Sequence, residues 1–273
     1  MLQLIPTPIG NLEDISIRAL KAFENADIFL CEDTRVTKKL LNLLKNRFNI
    51  NIKSSKFISF HEHNQKNFLK NIDKDFFSQN VVYVSDAGMP GISDPGALLV
   101  KFCQENDIEY DVLPGPTALT TAYAASGFES SEFSFYAFLS HKSQERVKKL
   151  SQIMQNSHPS ILYEAPHRLI KLLEEIVNID PQRELFLAKE ITKKHQKFFK
   201  NRAYELLEIL KNENIKGEWV VIISPSKEKT AITNLDINDI LNLDISKKEK
   251  AKLLSKITDK SVKEWYQELI KGE

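Results

Sequence analysis

The 273-residue chain has only two cysteines, Cys31 and Cys103, in different segments and without CxxC spacing. Neither a disulfide framework nor a thiolate metal site is indicated, and a reducing compartment suits that usage. No apolar run approaches the ~18 residues of a membrane span. The N-terminus "MLQLIPTPIGN" also lacks a basic segment followed by a long apolar core. The expectation is a soluble cytoplasmic protein with no membrane association. Internal repeats and long low-complexity tracts are missing, as are GxGxxG, the GK[ST] phosphate loop and the RNP and KH signatures of RNA modules. A charge excess is missing too, since 38 Lys plus Arg balance 37 Asp plus Glu. That balance conceals an asymmetry: residues 141–202 hold 13 basic against 7 acidic side chains, and residues 1–140 hold 13 against 17. Such polarity suits one acidic or neutral lobe and one lobe facing a polyanion, although a solvated basic surface accounts for the same numbers.

Glycine is scarce, and three of the eight glycines crowd into "VVYVSDAGMPGISDPGALLV" (81–100). This stretch belongs to a regular alternation. Short β-favouring runs near 2–6, 28–31, 57–60, 81–85 and 110–113 alternate with helical periodicity near 15–25, 35–46, 64–77 and 96–106. An α/β pattern with a mostly parallel sheet follows, and ligands in such sheets bind beyond the carboxyl ends of the strands. "LPGPTALTTAYAASGF" supplies a stiff Pro-Gly-Pro turn before a helix of small residues, where the domain joint is placed. A second series runs as strand 133–138, helix 142–155, strand 160–164, helix 167–178, strands 184–189 and 195–199, helix 203–212 and strand 218–223. Its closely spaced strands predict a mixed sheet. The expected organisation is an N-terminal α/β domain over 1–115, a second α/β domain over 116–225, a linker over 226–234 and a small helical domain over 235–273. Two amphipathic helices, N-capped by Ser246 and Ser261, make the last segment either helix-turn-helix-like or a simple helical hairpin.

Several strand-end loops carry candidate chemistry. Gly88, Gly91 and Gly96 with Pro90 and Pro95 shape a rigid loop whose backbone N–H groups and Asp86 suit a small polar ligand, unless it is an ordinary βα turn. The missing lysine argues against a triphosphate. "TPIGN" ends the first strand, so the first and fourth strands present loops to a common crevice. "CEDTR" (31–35) offers Glu32, Asp33 and Arg35 as substrate contacts or as an ion-paired helix cap. In "SFHEHNQ", His61 and His63 share a strand face, but two ligands without a third nearby do not make a metal site, and no metal is expected. "ILYEAPHRL" brings Tyr163, Glu164, His167 and Arg168 to a strand end, supplying an acid, a base and an anion-binding group, or merely a cap and an intrahelical pair. Lys142, Arg146, Lys148 and Lys149 follow "FYAFLSH"; phosphate contact with aromatic stacking is one way to hold RNA.

Taken together, "PTPIGNLEDISIRAL", "CEDTR", "SFHEHN", "VSDAGMPGISDPG", "VLPGPTALTTAYAASGF", "ILYEAPHRL", "KEITKKH" and "GEWVVII" occur in the order and approximate spacing of the ribosomal RNA small subunit methyltransferase I family. That family is similar in fold to the tetrapyrrole methylases, and the resemblance covers nearly the whole chain. It implies a two-domain tetrapyrrole-methylase-like α/β fold with an N-terminal mostly parallel sheet, a C-terminal mixed sheet and a small helical appendage. It further implies a homodimer that binds S-adenosylmethionine in the interdomain cleft and methylates the ribose 2′-hydroxyl of a cytidine in the decoding region of 16S rRNA in the 30S subunit. Residues 85–96 then resemble the loop receiving the cofactor's amino-acid and ribose portions, with Pro8, Asp86, Gly88, Met89, Pro90, Gly91, Ile92 and Asp94 as contacts. Thr117 and Ala118 match another cofactor-binding stretch, and Tyr163 lies where the second domain approaches the adenine. Two departures stand out: His195-Gln196 replaces the family's His-Glu after the "KEITK" stretch, which disfavours a catalytic carboxylate there, and Ser140-His141 stands where the family has a proline.

Methyl transfer from a sulfonium needs alignment and, for a weakly nucleophilic hydroxyl, a base. The candidates are Glu164, His167, Glu32 and His61, with the Glu164/His167 pair preferred and Arg35, Lys142, Arg146 and Arg168 placed on phosphates. The alternatives are a precorrin-type tetrapyrrole methylase and a non-catalytic ribosome-binding protein. Salt-sensitive affinity for 30S particles separates the first from an RNA enzyme, and intact cofactor binding argues against the second.

Overall fold

A computed structural model describes residues 1–53, 55–226, 236–258 and 260–271. They fall into two compact units, Met1–Lys227 and Glu228–Glu273.

The first unit begins with β1 (Leu2–Leu4), α1 (Ile17–Asn25), β2 (Ile28–Cys31), α2 (Thr34–Phe48), β3 (Lys56–Ser59), α3 (Gln65–Asn71), β4 (Val81–Val84), α4 (Gly96–Glu105) and β5 (Tyr110–Val112). Its five strands pair in the order β3-β2-β4-β1-β5, and every pairing is parallel. β2 ("IFLC") and β4 ("VVYV") are buried at every position, as strands covered by helices on both faces must be. Alternate residues serve opposite faces. Phe29, Val82 and Val84 pack with Phe23 of α1 and Leu41 and Leu44 of α2. Leu30, Val81 and Tyr83 pack with Leu99 and Cys103 of α4 and with Phe68 of α3. Each such side chain contributes roughly 1.5–3 kcal/mol of burial. β2 therefore hands the chain to a helix on one face, and its neighbour β4 hands it to a helix on the other. Where two such connections part, a crevice opens beyond the strand ends.

The helix expected over 64–77 is broken. Asp73 accepts the Asp75 N–H at 3.2 Å and starts a 3-10 helix over Lys74–Ser78, so α3 ends at Asn71.

The chain continues through α5 (Ala118–Ser126), β6 (Ser134–Phe138), α6 (Ser143–Ile153), β7 (Ser160–Glu164), α7 (Pro166–Ile179), β8 (Glu184–Lys189), β9 (Lys197–Arg202), α8 (Ala203–Lys211) and β10 (Trp219–Ile223). The second sheet has the order β6-β7-β10-β8-β9. β6 and β7 are parallel and the other pairs antiparallel, so this sheet is mixed, as its closely spaced strands predict. α6, α7 and α8 cover one face through Leu150, Leu172, Leu173 and Leu206. α5 covers the other through Leu119 and Ala122.

Among its described residues the second unit holds three helices rather than the two expected: α9 (Ile237–Leu241), α10 (Lys247–Ile257) and α11 (Val262–Lys271). α9 is too short to display a period, yet Asp236 and Asp239 form a capping box that starts it. Ser246 caps α10 through the Glu249 N–H, and Ser261 accepts the Glu264 N–H at 3.3 Å. Ile240, Ala251, Leu254 and Trp265 make the core of this unit. The expected linker lies almost wholly outside the described residues. Among the described residues no helix is long and apolar enough to cross a membrane.

Candidate active site

The crevice at the ends of β2 and β4 is one wall of a cavity of about 500 Å³, within the size range of small-molecule sites. That wall comes from turns after the parallel strands: Ile9 follows β1, Glu32 follows β2, Asp86 to Met89 and Ile92 to Asp94 follow β4, and Thr117 and Ala118 start α5. The facing wall comes from the second sheet. Phe138 ends β6, Tyr163 and Glu164 end β7, and Gly217 to Val220 open β10. β10 runs antiparallel to β7 with Trp219 opposite Glu164, which brings a strand start and a strand end to the same rim.

The loop after β4 is held from three sides. Thr7 and Gly88 exchange backbone hydrogen bonds of 3.0 Å in both directions, joining the loops of β1 and β4 as the sequence predicts. Gly88 adopts φ +83°, a conformation unfavourable to other residues, and a Cβ there would lie 3.3 Å from Ile9 Cγ2. The Asp94 carboxylate accepts the Gly91 N–H and, at 3.3 Å, the Gly96 N–H. Asp94 thus ties down its own loop as well as facing the cavity.

Two acids face each other across the switch point. Asp86 Oδ1 accepts the Asp33 N–H at 3.1 Å, and Glu32 Oε2 accepts the Asp86 N–H at 3.2 Å. Burial pushes the Glu32 carboxyl above the usual carboxylate range, opposed chiefly by the hydrogen bond from the Asp86 N–H, while the charges of Asp86 and Asp94 add to the rise. Burial likewise raises Asp86, against the hydrogen bond it accepts from the Asp33 N–H. Asp33 itself is pulled down to about 2 by hydrogen bonds from Arg35. It caps α2 through the Arg35 N–H at 2.8 Å, so Asp33 and Arg35 form the ion-paired cap. Beneath the acids, the Tyr83 hydroxyl and His61 Nδ1 are buried without a hydrogen-bond partner. Burial also raises the pKa of Tyr163, which lines the cavity against Phe135 and Phe138, its ring centroids 4.9 and 5.7 Å from theirs.

Of the expected cofactor contacts, Asp86, Gly88, Met89, Ile92, Asp94, Thr117, Ala118 and Tyr163 line the cavity, whereas Pro8, Pro90 and Gly91 do not. Glu32 and Glu164 also line it; His61 and His167 do not. The preferred Glu164/His167 pair is not assembled. His167 is exposed, and Glu164 is saturated: Oε2 receives Arg146 at 3.1 Å, and Oε1 receives Arg168 at 3.2 Å and the Ala165 N–H at 3.0 Å. Arg146 corrects a second expectation. It is 2% exposed and bound to Glu164 and Glu175, so it holds the sheet's helices rather than a phosphate. Arg168 is also largely occupied, donating to the Leu139 carbonyl at 2.6 Å. Lys142 and Arg35 do reach solvent, Arg35 with 89% of its side chain exposed. Among the described residues no group of three or more His, Cys, Asp or Glu is arranged to hold a metal.

Phe138, Ile191 and residues 217–220 line the cavity without having been singled out from the sequence. "GEWVVII" and "KEITKKH" contain most of them, but no spacing reveals an antiparallel pairing between distant strands. Gly217, at φ +117° with its absent Cβ 2.7 Å from Glu190 Cγ, carries the one local signal. Next to this rim Gly10 presses on the segment after β8. A Cβ at Gly10 would lie 2.6 Å from Thr192 Oγ1 and 2.5 Å from Lys193 Cγ, and the Asn11 N–H donates to Thr192 Oγ1 at 3.1 Å.

The family model for tetrapyrrole (corrin/porphyrin) methylases matches residues 1–207. A ribosomal RNA small subunit methyltransferase I from Campylobacter fetus is 47% identical over 99% of this chain and 100% of its own length. The chain belongs to that family. Another member, from Helicobacter pylori, is 42% identical over 97% of this chain and 96% of its own. Among solved structures, a diphthine synthase aligns with a TM-score of 0.62 at 15% identity, covering 82% of this chain and 89% of that one. A uroporphyrin-III C-methyltransferase from Thermus thermophilus, complexed with S-adenyl homocysteine, aligns with a TM-score of 0.55 at 14% identity, covering 81% and 96%. The fold is that of the tetrapyrrole methylases.

The two departures from the small subunit methyltransferase I pattern have local explanations. Gln196 Oε1 accepts the Thr192 N–H at 2.7 Å, closing the turn after β8. Ser140 Oγ accepts the Lys142 N–H at 3.1 Å and donates to Glu145 at 2.9 Å, fixing the loop that a proline would stiffen.

Proposed function

We propose that the chain methylates the ribose 2′-hydroxyl of a cytidine in the decoding region of 16S rRNA, acting as a homodimer on the small ribosomal subunit with S-adenosylmethionine as methyl donor. The observation that carries the donor is the composition of the cavity. Glu32 and Asp86 at one end suit an ammonium or ribose hydroxyls; Ile9, Met89, Ile92, Ile191 and Val220 give an apolar surface for a purine; and Gly88 and Gly217 allow close backbone approach. The residues present therefore fit the cofactor. When bound, it supplies a methyl group on a positively charged sulfur.

The chain's own task is alignment, which accounts for roughly 7–11 kcal/mol of a barrier when the reacting atoms are held in line, and acceptance of the hydroxyl proton. Glu32 is the carboxylate best suited to that acceptance. It lines the cavity and its affinity for a proton is raised by burial, whereas the oxygens of Glu164 are already engaged. Asp86 then serves to bind and orient, and Tyr163 with Phe138 bounds the space where a nucleoside enters.

The test is incubation with labelled S-adenosylmethionine and 30S subunits lacking native methylation, beside naked 16S rRNA and a tetrapyrrole mixture. Mass spectrometry then locates the label. A 2′-O-methylated decoding-region cytidine is the expected product. Label on a base atom, or on a tetrapyrrole, overturns the reading. Sedimentation of the same preparation should give the mass of two chains.

A further inference from the structure

A second hollow, of about 450 Å³, adjoins the first and shares Phe138 with it. It is floored by Tyr136 and rimmed by Ser140, Glu145, Lys148, Lys149 and Gln152. β6 explains why one phenylalanine serves both. In a regular strand, residues 135 and 138 face opposite sides. Here the pairing with β7 slips between Phe135 and Phe138, and Ala137 sits at φ +49°, so both phenylalanines reach the Tyr163 ring. Tyr136 stays on the other face, against the core beneath α6. Phe138, 54% exposed, thus forms the partition between the two hollows. Strained backbone of this kind persists where it aims a side chain.

We propose that the second hollow is a subsite for a nucleotide flanking the one that is methylated, with the RNA strand crossing Phe138. This rests on the reading of the first cavity as an RNA-methylating site. Lys149 Nζ lies over the Tyr136 ring, 4.7 Å from its centroid: the ammonium covers the aromatic face on a long flexible stem that swings aside towards a phosphate when a base takes its place. A base stacks on such a face without regard to its identity, and lysines take the adjoining phosphate. Lys148 and Lys149 outnumber the single acid of the rim, Glu145, which Lys142 already pairs from outside it at 3.2 Å. Gln152 presents an amide able to meet a base edge. The Tyr136 hydroxyl accepts from Asn156 at 2.7 Å, so the ring is held in place beneath the lysine.

Cys31 and Cys103 are both fully buried, so a Gln152→Cys chain exposes one reactive thiol. A photo-crosslinker on that thiol, activated on wild-type-like complexes with unmethylated 30S subunits, should join rRNA within about two nucleotides of the labelled position. A crosslink to distant rRNA or to ribosomal protein overturns the subsite. In parallel, Lys148→Ala/Lys149→Ala should leave S-adenosylmethionine affinity unchanged and flatten the slope of log affinity against log salt by about 1.4, two single-strand contacts at about 0.7 each. A control pair, Lys70→Ala/Lys74→Ala, should change it less; an equal change in both overturns the proposal. If the unsubstituted enzyme methylates no rRNA, the reading of the first cavity fails. If it does and the crosslink lands elsewhere, only the subsite fails.

Discussion

Arg146 Nη1 lies 3.1 Å from Glu164 Oε2, with 3% and 1% of the two side chains exposed. The pair joins α6 to the end of β7 directly beneath the cavity, and Glu175 of α7, 2.7 Å from Arg146, and Arg168, 3.2 Å from Glu164, extend it to two charges of each sign. Breaking a buried pair by removing one partner strands the other charge and typically costs about 3–5 kcal/mol. Arg146→Met is therefore expected to lower the denaturant midpoint by a loss of that size. Glu164→Gln should likewise destabilise while keeping the single-turnover methylation rate, at saturating cofactor, within about threefold of the parent. A folded Glu164→Gln protein with a rate down a hundredfold would return Glu164 to the role of base.

Gly88→Val introduces a branched side chain at φ +83° and a Cβ 3.3 Å from Ile9 Cγ2. Strain there costs about 1–3 kcal/mol, and the displaced Ile9 fills space that the ligand needs. Calorimetry should show weakened S-adenosylmethionine binding in a protein that still unfolds cooperatively. Unchanged affinity would remove the loop from the binding surface.

Glu32→Gln tests the acid pair by pH. Burial raises the folded-state pKa of Glu32 against the hydrogen bond it accepts from the Asp86 N–H, so the folded protein holds this proton more tightly than the unfolded chain does. Stability associated with that proton is present below the ordinary carboxylate value and is lost as pH rises through the raised one. The glutamine chain has no such loss. Its thermal midpoint should match the parent near pH 4 and exceed it near pH 7, while methylation at pH 7 falls steeply. A midpoint below the parent's across the whole range would argue that Glu32 is a structural acceptor instead.

The chain has two tryptophans, conveniently divided. Trp219 lines the cavity, and Trp265 belongs to the core of the second unit, its indole N–H donating to Thr258 at 2.6 Å. Cofactor titration should change the fluorescence of the parent and of Trp265→Phe, and leave Trp219→Phe unchanged. A response that follows Trp265 instead would place the ligand elsewhere.

How much of this was legible beforehand depended on distance along the chain. The parallel sheet was, because β2 and β4 are apolar at every position and each is followed by a helical period. So was the wall built by their loops, since a βα loop carries its glycines and acids beside the strand that places them. The opposite wall was legible only at Tyr163 and Glu164: Trp219 meets Glu164 through antiparallel pairing of strands more than fifty residues apart. Arg146 was misread for a different reason. In a lysine-rich helix it looked like surface, yet it shares the i, i+4, i+7 spacing of Leu150 and Ile153, the buried positions of α6. The period marked it as inward-facing; its charge concealed that.

Gly10 is pressed against the turn at residues 191–193, through the Thr192 and Lys193 side chains and the Ile191 carbonyl, so closely that a Cβ has no room there. Any side chain at position 10 requires the facing turn to retreat, and a retreat of that turn releases the Asn11 amide from Thr192 Oγ1. Two stretches some 180 residues apart thus behave as a single unit of inheritance. Across homologues, replacements at one should appear only alongside replacements at the other, and chimaeras that swap one stretch without its counterpart should misfold even where each parent is sound.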